Sequence, residues 1–199
     1  MTPGKGAGGL PNLPLHELLR ATTGEVHERL HGHRGLAAVK AGTIGRAEYT
    51  ALLARLYGFY RPFEVAAGVP AERTDWLHAD LAVFGVDRDM CLALPCCRAF
   101  PEHASRAYLL GAHYVVEGSA LGGRGLARQL DALLGPHETA GRAFFNGYGV
   151  ATGTVWRAYL AQLSAAPDGP ADQAAVIEGA AATFAIFEQW LQGWDGVDD

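Results

Sequence analysis

"GAHYVVEGSALGGRGLARQL", residues 111–130, has the periodicity of a helix and the composition of something else. Apolar residues recur every three or four positions, as on one face of a helix. Yet the stretch holds Gly111, Gly118, Gly122, Gly123 and Gly125. Each glycine in a helix interior costs roughly 1 kcal/mol relative to alanine. Gly118, Gly122 and Gly125 follow one another at steps of four and three, so they share one helical face. A stripe without side chains lets something come close to the backbone. Either another helix packs into it, or a flat ligand lies against it.

The flanking sequence is helical almost throughout. Residues 13–32 place Leu15, Leu18, Leu19, Thr22, Val26 and Leu30 on one broad face, and Gly32 and Gly35 end that helix. Residues 44–68 form a second long helix with Tyr49, Leu52, Leu53, Leu56, Phe59 and Tyr60 inward, kinked at Pro62. A shorter helix spans 71–85 and stops at Gly85, and the glycine-rich helix runs over 101–134. Residues 137–149 form a short helix and turn, and 151–165 and 170–194 two further helices. No alternating run with hairpin signals and no internal repeat interrupts this pattern. The expectation is an all-α, single-domain helical bundle over 13–199, preceded by a flexible glycine- and proline-rich tail, 1–12.

Bulk properties exclude several classes. The 199 residues suffice for one domain with a real core. A net charge of −5 argues against nucleic-acid binding, which favours a basic face. No apolar run approaches the ~18 residues of a membrane span. The first residues lack the apolar stretch of a secretory signal, so a cytoplasmic protein is expected. Three cysteines, Cys91, Cys96 and Cys97, fit free thiols in a reducing compartment. They fall in an expected loop, either as a soft-ligand cluster or as half-buried thiols, and lack zinc-type spacing.

The first helix carries His16, His27 and His31, with His33 just beyond. His27 follows apolar Val26 and lies a turn from Thr23 and Leu30, so it borders the buried face. A neutral imidazole there can offer a nitrogen to an iron inside the bundle. Arg20 stands two helical turns before His27, on nearly the same face.

"LRATTGEVH" followed by "GTIGRAEYTALLARLYGFYRPFE" resembles the N-terminal half of heme oxygenases. "YVVEGSALGGRGLAR" followed by "FFNGYGVATGTVW" resembles their distal half, in the bacterial version associated with bacteriophytochromes. The resemblance runs in register from about residue 15 to 193. It implies that heme lies between a proximal histidine helix and a kinked, glycine-rich distal helix. His27 would then be the axial iron ligand. Gly118 and Gly122 would be the close-approach positions over the heme, with Gly123 also lining it. Arg20 and Arg157 match basic positions that contact the two propionates.

The implied reaction is oxidative opening of heme to biliverdin with release of carbon monoxide and ferrous iron. Heme is both substrate and cofactor, and dioxygen the oxidant. No GxGxxG strand–helix unit is present for a flavin or nicotinamide. Electrons are therefore expected from an external donor such as a ferredoxin or a reductase. A bacteriophytochrome is a candidate acceptor of biliverdin.

The chain departs from the animal pattern at three places. Ser119 stands where animal members carry an aspartate that organises distal water, which places proton delivery on Ser119, water or other polar residues. His31 stands where they carry a glutamate that holds the proximal imidazole, which leaves open what orients His27. His113 and Glu117, four apart, can pair with each other or join a proton network. The serine also admits a second reading, a heme carrier or sensor without turnover. A thiaminase-like hydrolase would need a nucleophilic cysteine in the core, and a diiron oxidase two Glu-x-x-His units, of which only Glu28-x-x-His31 is present.

Overall fold

The computed structural model describes residues 13–192, and every regular element among them is helical. The expected tail over 1–12 and the end of the chain from 193 lie outside the described residues. Helix α1 spans Leu15–His31, and its end is closed by the Gly32 N–H donating to the Arg29 carbonyl and the His33 N–H to the Leu30 carbonyl, both at 3.0 Å. Its buried face is Leu18, Leu19, Thr23 and Leu30. Thr22, expected inward, is exposed, because the face turns one residue to bury Thr23. The Thr23 hydroxyl is satisfied there by the Leu19 carbonyl at 2.8 Å.

Gly35 does not end the first helix. It is buried within a separate short helix, α2 (Arg34–Ala41), stopped by Gly42 in the left-handed conformation. Helix α3 (Arg46–Ala67) carries Pro62 in its interior. A proline has no N–H to give to the carbonyl four residues back. The Gly58 carbonyl left over accepts instead from the Cys97 N–H at 2.8 Å. The absence of a side chain at Gly58 permits this approach, since a Cβ there would strike the Pro95 carbonyl and the Trp190 ring. The proline thus docks the 95–97 segment on α3.

Helix α4 (Glu72–Val83) packs on α3. The cysteine region is not wholly loop. Cys91 is buried in α5 (Arg88–Ala93), which begins where the Asp87 carboxylate accepts the Met90 N–H at 2.9 Å. The glycine-rich helix, α6, covers Arg106–Gln129, shorter at both ends than the pattern suggests. Ser105 caps its start, and Leu130 turns the chain into a separate single turn, α7 (Asp131–Leu134). Helix α8 (Ala143–Asn146) and a 3₁₀ turn (Gly149–Ala151) lead into α9 (Thr152–Ala165) and α10 (Pro170–Gln192).

Two apolar cores result. One joins α3, α4, α6 and α8 through residues such as Tyr49, Phe59, Leu77, Val116 and Phe145. The other joins α1, α6, α9 and α10 through Leu19, Val115, Leu163, Val176 and Phe184. Leu36 and Phe187 pack against both. The α6–α10 crossing is the most extensive helix pair and is built on two glycines. A Cβ on Gly111 would strike the Val176 carbonyl, and one on Gly179 the Tyr108 carbonyl. Here glycine serves backbone-to-backbone packing. At its surface α1 is tied to α10 by Arg29, which grips both carboxylate oxygens of Glu188 at 2.5 and 2.9 Å.

Candidate functional site

The glycines of α6 divide by what lies over them. Gly111 is pressed on α10, and Gly123 is buried with the Phe145 carbonyl 2.9 Å from where its Cβ would be. Gly123 is one residue beyond Gly122 and points about 100° away from it. It therefore packs on α8, whereas the resemblance placed it beside heme. Gly122 and Gly125 face open space, and Gly118 faces the Trp156 indole at 3.6 Å. The bare stripe is thus packed at its N-terminal end and open at its C-terminal end.

On α1, His27 is outward. Its side chain is 56% exposed, and the Nδ1 atom is 3.7 Å from the Glu28 carboxylate. The ring stands edge-on to Phe184 of α10, with centroids 6.4 Å apart, and edge-on to His31 at 4.5 Å. No buried group commits this imidazole. His31 occupies the position one turn on. Partial burial, and then the neighbouring His27, push its pKa down.

Aromatic rings connect α6 and α9. Tyr114 of α6 lies 5.7 Å from Trp156, which stacks on Tyr159 at 5.6 Å. The Tyr159 hydroxyl donates to the Leu110 carbonyl at 2.7 Å. Burial raises the Tyr114 pKa, and the nearby charge of Arg20 opposes that rise. Arg20 of α1 is therefore close enough to Tyr114 of α6 for its charge to be felt there. Arg157 is exposed and donates to the Thr154 hydroxyl at 3.2 Å. Among the described residues neither arginine has a carboxylate partner.

Ser119 donates to the Val116 carbonyl at 2.7 Å and lies 3.4 Å from the Tyr60 hydroxyl. Burial pushes the Tyr60 phenol up, so it stays protonated and able to donate. His113 and Glu117 do not pair. Glu117 accepts from Arg73 of α4 at 2.9 Å, and the buried Nε2 of His113 has no hydrogen-bond partner. Burial, and then Arg73, lower the His113 pKa and keep it neutral. Arg73 sits beside the edge-on Trp76–Tyr148 ring pair, 6.0 and 5.8 Å from their centroids. Buried Glu64 of α3 accepts the Arg73 and Thr74 backbone N–H groups, which caps α4.

Tyr60 and Arg73 had no distinct sequence signal as site residues. Tyr60 reads as one more inward aromatic, and a buried arginine whose partner lies 44 residues on leaves no local pattern. The three cysteines are free: Cys91 and Cys97 are buried, and Cys96 is half-buried beside Arg61.

The sequence profile of the heme oxygenase family matches residues 13–193. The chain belongs to the heme oxygenase family. Solved structures repeat the fold at low identity. Heme oxygenase-1 of the cyanobacterium Synechocystis sp. PCC6803, in complex with heme, superposes with a TM-score of 0.74 at 17% identity, covering 92% of this chain and 93% of that one. Heme oxygenase of Leptospira interrogans gives 0.71 at 17% identity, over 90% and 98%. Heme oxygenase-2 of Synechocystis, in complex with heme and NO, gives 0.71 at 19% identity, over 90% and 84%. No curated protein matches by sequence.

Proposed function

We propose that heme binds between α1 and α6 and is opened oxidatively to biliverdin, with loss of carbon monoxide and ferrous iron. Two observations carry this reading: an uncommitted imidazole, His27, on α1, and an open stripe at Gly122 and Gly125 on α6. The donor set fits the group: a neutral nitrogen for iron, bare backbone for a flat ring, aromatic walls, and arginines for carboxylates. Heme, when bound, supplies both the iron that activates dioxygen and the ring that is cleaved.

The protein's own residues do the rest. His27 ligates from α1, and Arg20 and Arg157 hold the propionates. Gly122 would bring bare backbone close to the ring and leave room for a diatomic ligand, and Gly118 would do so once the Trp156 indole over it is displaced. Ser119 and the protonated Tyr60 hydroxyl offer a site for an ordered water and a proton. Glu117 keeps Arg73 paired beneath this face. Trp156 and Tyr114 shield the cleft from bulk water.

Electrons come from an external donor such as a ferredoxin or a reductase, and a bacteriophytochrome is a suitable acceptor of the product. No helix among the described residues is long and apolar enough to cross a membrane. The test is direct. Hemin added to the purified protein should give a Soret band, and a reductant should convert it to a biliverdin spectrum. A Soret band without turnover supports the carrier reading instead.

A further inference from the structure

"HERLH", residues 27–31, stands on the outer face of α1. Leu30 turns inward and is buried, and Arg29 is held by Glu188 of α10. The remaining three, His27, Glu28 and His31, fall within about 100° of arc on the helix. All three are exposed, and one ligand atom from each lies within 4.8 Å of the others. Among the described residues this is the only group of three or more such side chains whose ligand atoms converge. We propose that His27, Glu28 and His31 form a divalent transition-metal site in the heme-free protein. The site competes with heme because His27 belongs to both.

The chemistry of the set supports this. Histidines at i and i+4 on one helical face are the metal-binding pair of H-E-x-x-H helices, in which the glutamate serves as general base; here the Glu28 carboxylate converges with the two imidazoles and offers a third ligand atom. Imidazole with a carboxylate suits zinc, iron, nickel and copper. Bonds of about 2.0–2.2 Å to a tetrahedral ion place ligand atoms about 3.4 Å apart. Exposed side chains can close that small difference by rotation, with no change of backbone. The remaining positions belong to water, so the site is open and holds its ion reversibly.

The competition rests on the heme reading of His27, whereas the metal site itself does not.

Zinc chloride titrated into heme-free protein, followed by calorimetry, provides the test. We expect one ion per chain at micromolar affinity, weakened tenfold or more in His31→Ala and in His27→Ala. His31→Ala should still take up hemin with the wild-type Soret band. Saturating zinc should slow or weaken hemin uptake by the wild type and leave His31→Ala unaffected. Zinc binding that is absent, or equal in wild type and His31→Ala, overturns the site. Hemin uptake by the wild type that ignores zinc overturns the competition. The heme reading fails separately: hemin binding unchanged in His27→Ala would remove it while the zinc result stood.

Discussion

Arg73 and Glu117 form an ion pair at 2.9 Å between α4 and α6, with side chains only 7% and 17% exposed. Removing one partner of such a pair leaves an uncompensated charge in a poor solvent. Glu117→Ala should therefore cost about 3 kcal/mol, the lower end for a buried pair because Glu117 keeps some solvent contact. The measurement is urea unfolding of the heme-free protein. A shift in midpoint no larger than that of an exposed control such as Glu25→Ala would show that the pair contributes nothing.

His27→Ala should abolish the ferric-heme spectrum and turnover. Because the ring is outward, the heme-free melting temperature should stay within the error of wild type. His31→Ala should keep both spectrum and turnover. The reverse result, with His31 essential and His27 dispensable, would move the ligand one turn along α1.

The two kinds of glycine should fail differently. Gly122→Leu meets open space, and leucine is the better helix former by roughly 1 kcal/mol. The heme-free variant should melt at or above the wild-type temperature yet make no biliverdin. Gly111→Ala drives a Cβ into the backbone of α10 and should lower the melting temperature, at an overpacking cost of ~1–3 kcal/mol or more. A destabilised Gly122→Leu that turns over normally would show that this glycine serves packing.

Arg20→Glu combined with Arg157→Glu should weaken hemin binding or change the biliverdin isomer, since two propionates would face two carboxylates. Both side chains are exposed, so heme-free stability should hold. Spectral titration and chromatography of the product decide it, and unchanged affinity with an unchanged isomer would leave both arginines as surface charges.

Buried Asp80 gives a pH dependence. Its carboxylate accepts the Ala143 and Phe144 N–H groups at 2.7 and 2.9 Å, which holds α8. Burial nonetheless pushes its pKa from 3.8 up to about 6, against those two bonds. The native state then binds the proton more tightly than the unfolded chain. Its contribution to stability is full below pH 3.8 and is lost as pH rises through about 6. Asp80→Asn cannot titrate, so its unfolding midpoint relative to wild type should improve as pH rises from about 4 to 6.5. A constant difference between the two proteins across that range would refute the shift.

The helical class, the inward faces of α3, and the grouping of Gly118, Gly122 and Gly125 could be read from the sequence. They depend on periodicity, which is local. The spacing of His27, Glu28 and His31 also puts them within one sector of α1, but the sequence places His27 at the border of the buried face, and only the packed structure shows it outward. The short helices α2 and α5 escaped the periodic reading, because each is too short to show a repeat and is held by its caps and by burial. What lies opposite each glycine was beyond reach. Gly111 and Gly122 have the same side chain and the same helix around them. Only the path of α10, which crosses one and leaves the other open, tells packing from access. The partner of Glu117 was decided in the same way. His113 is one turn away on the same helix, but Arg73 on α4 carries a charge that a neutral, buried imidazole does not. Local spacing sets which residues share a face, and tertiary packing sets what that face meets.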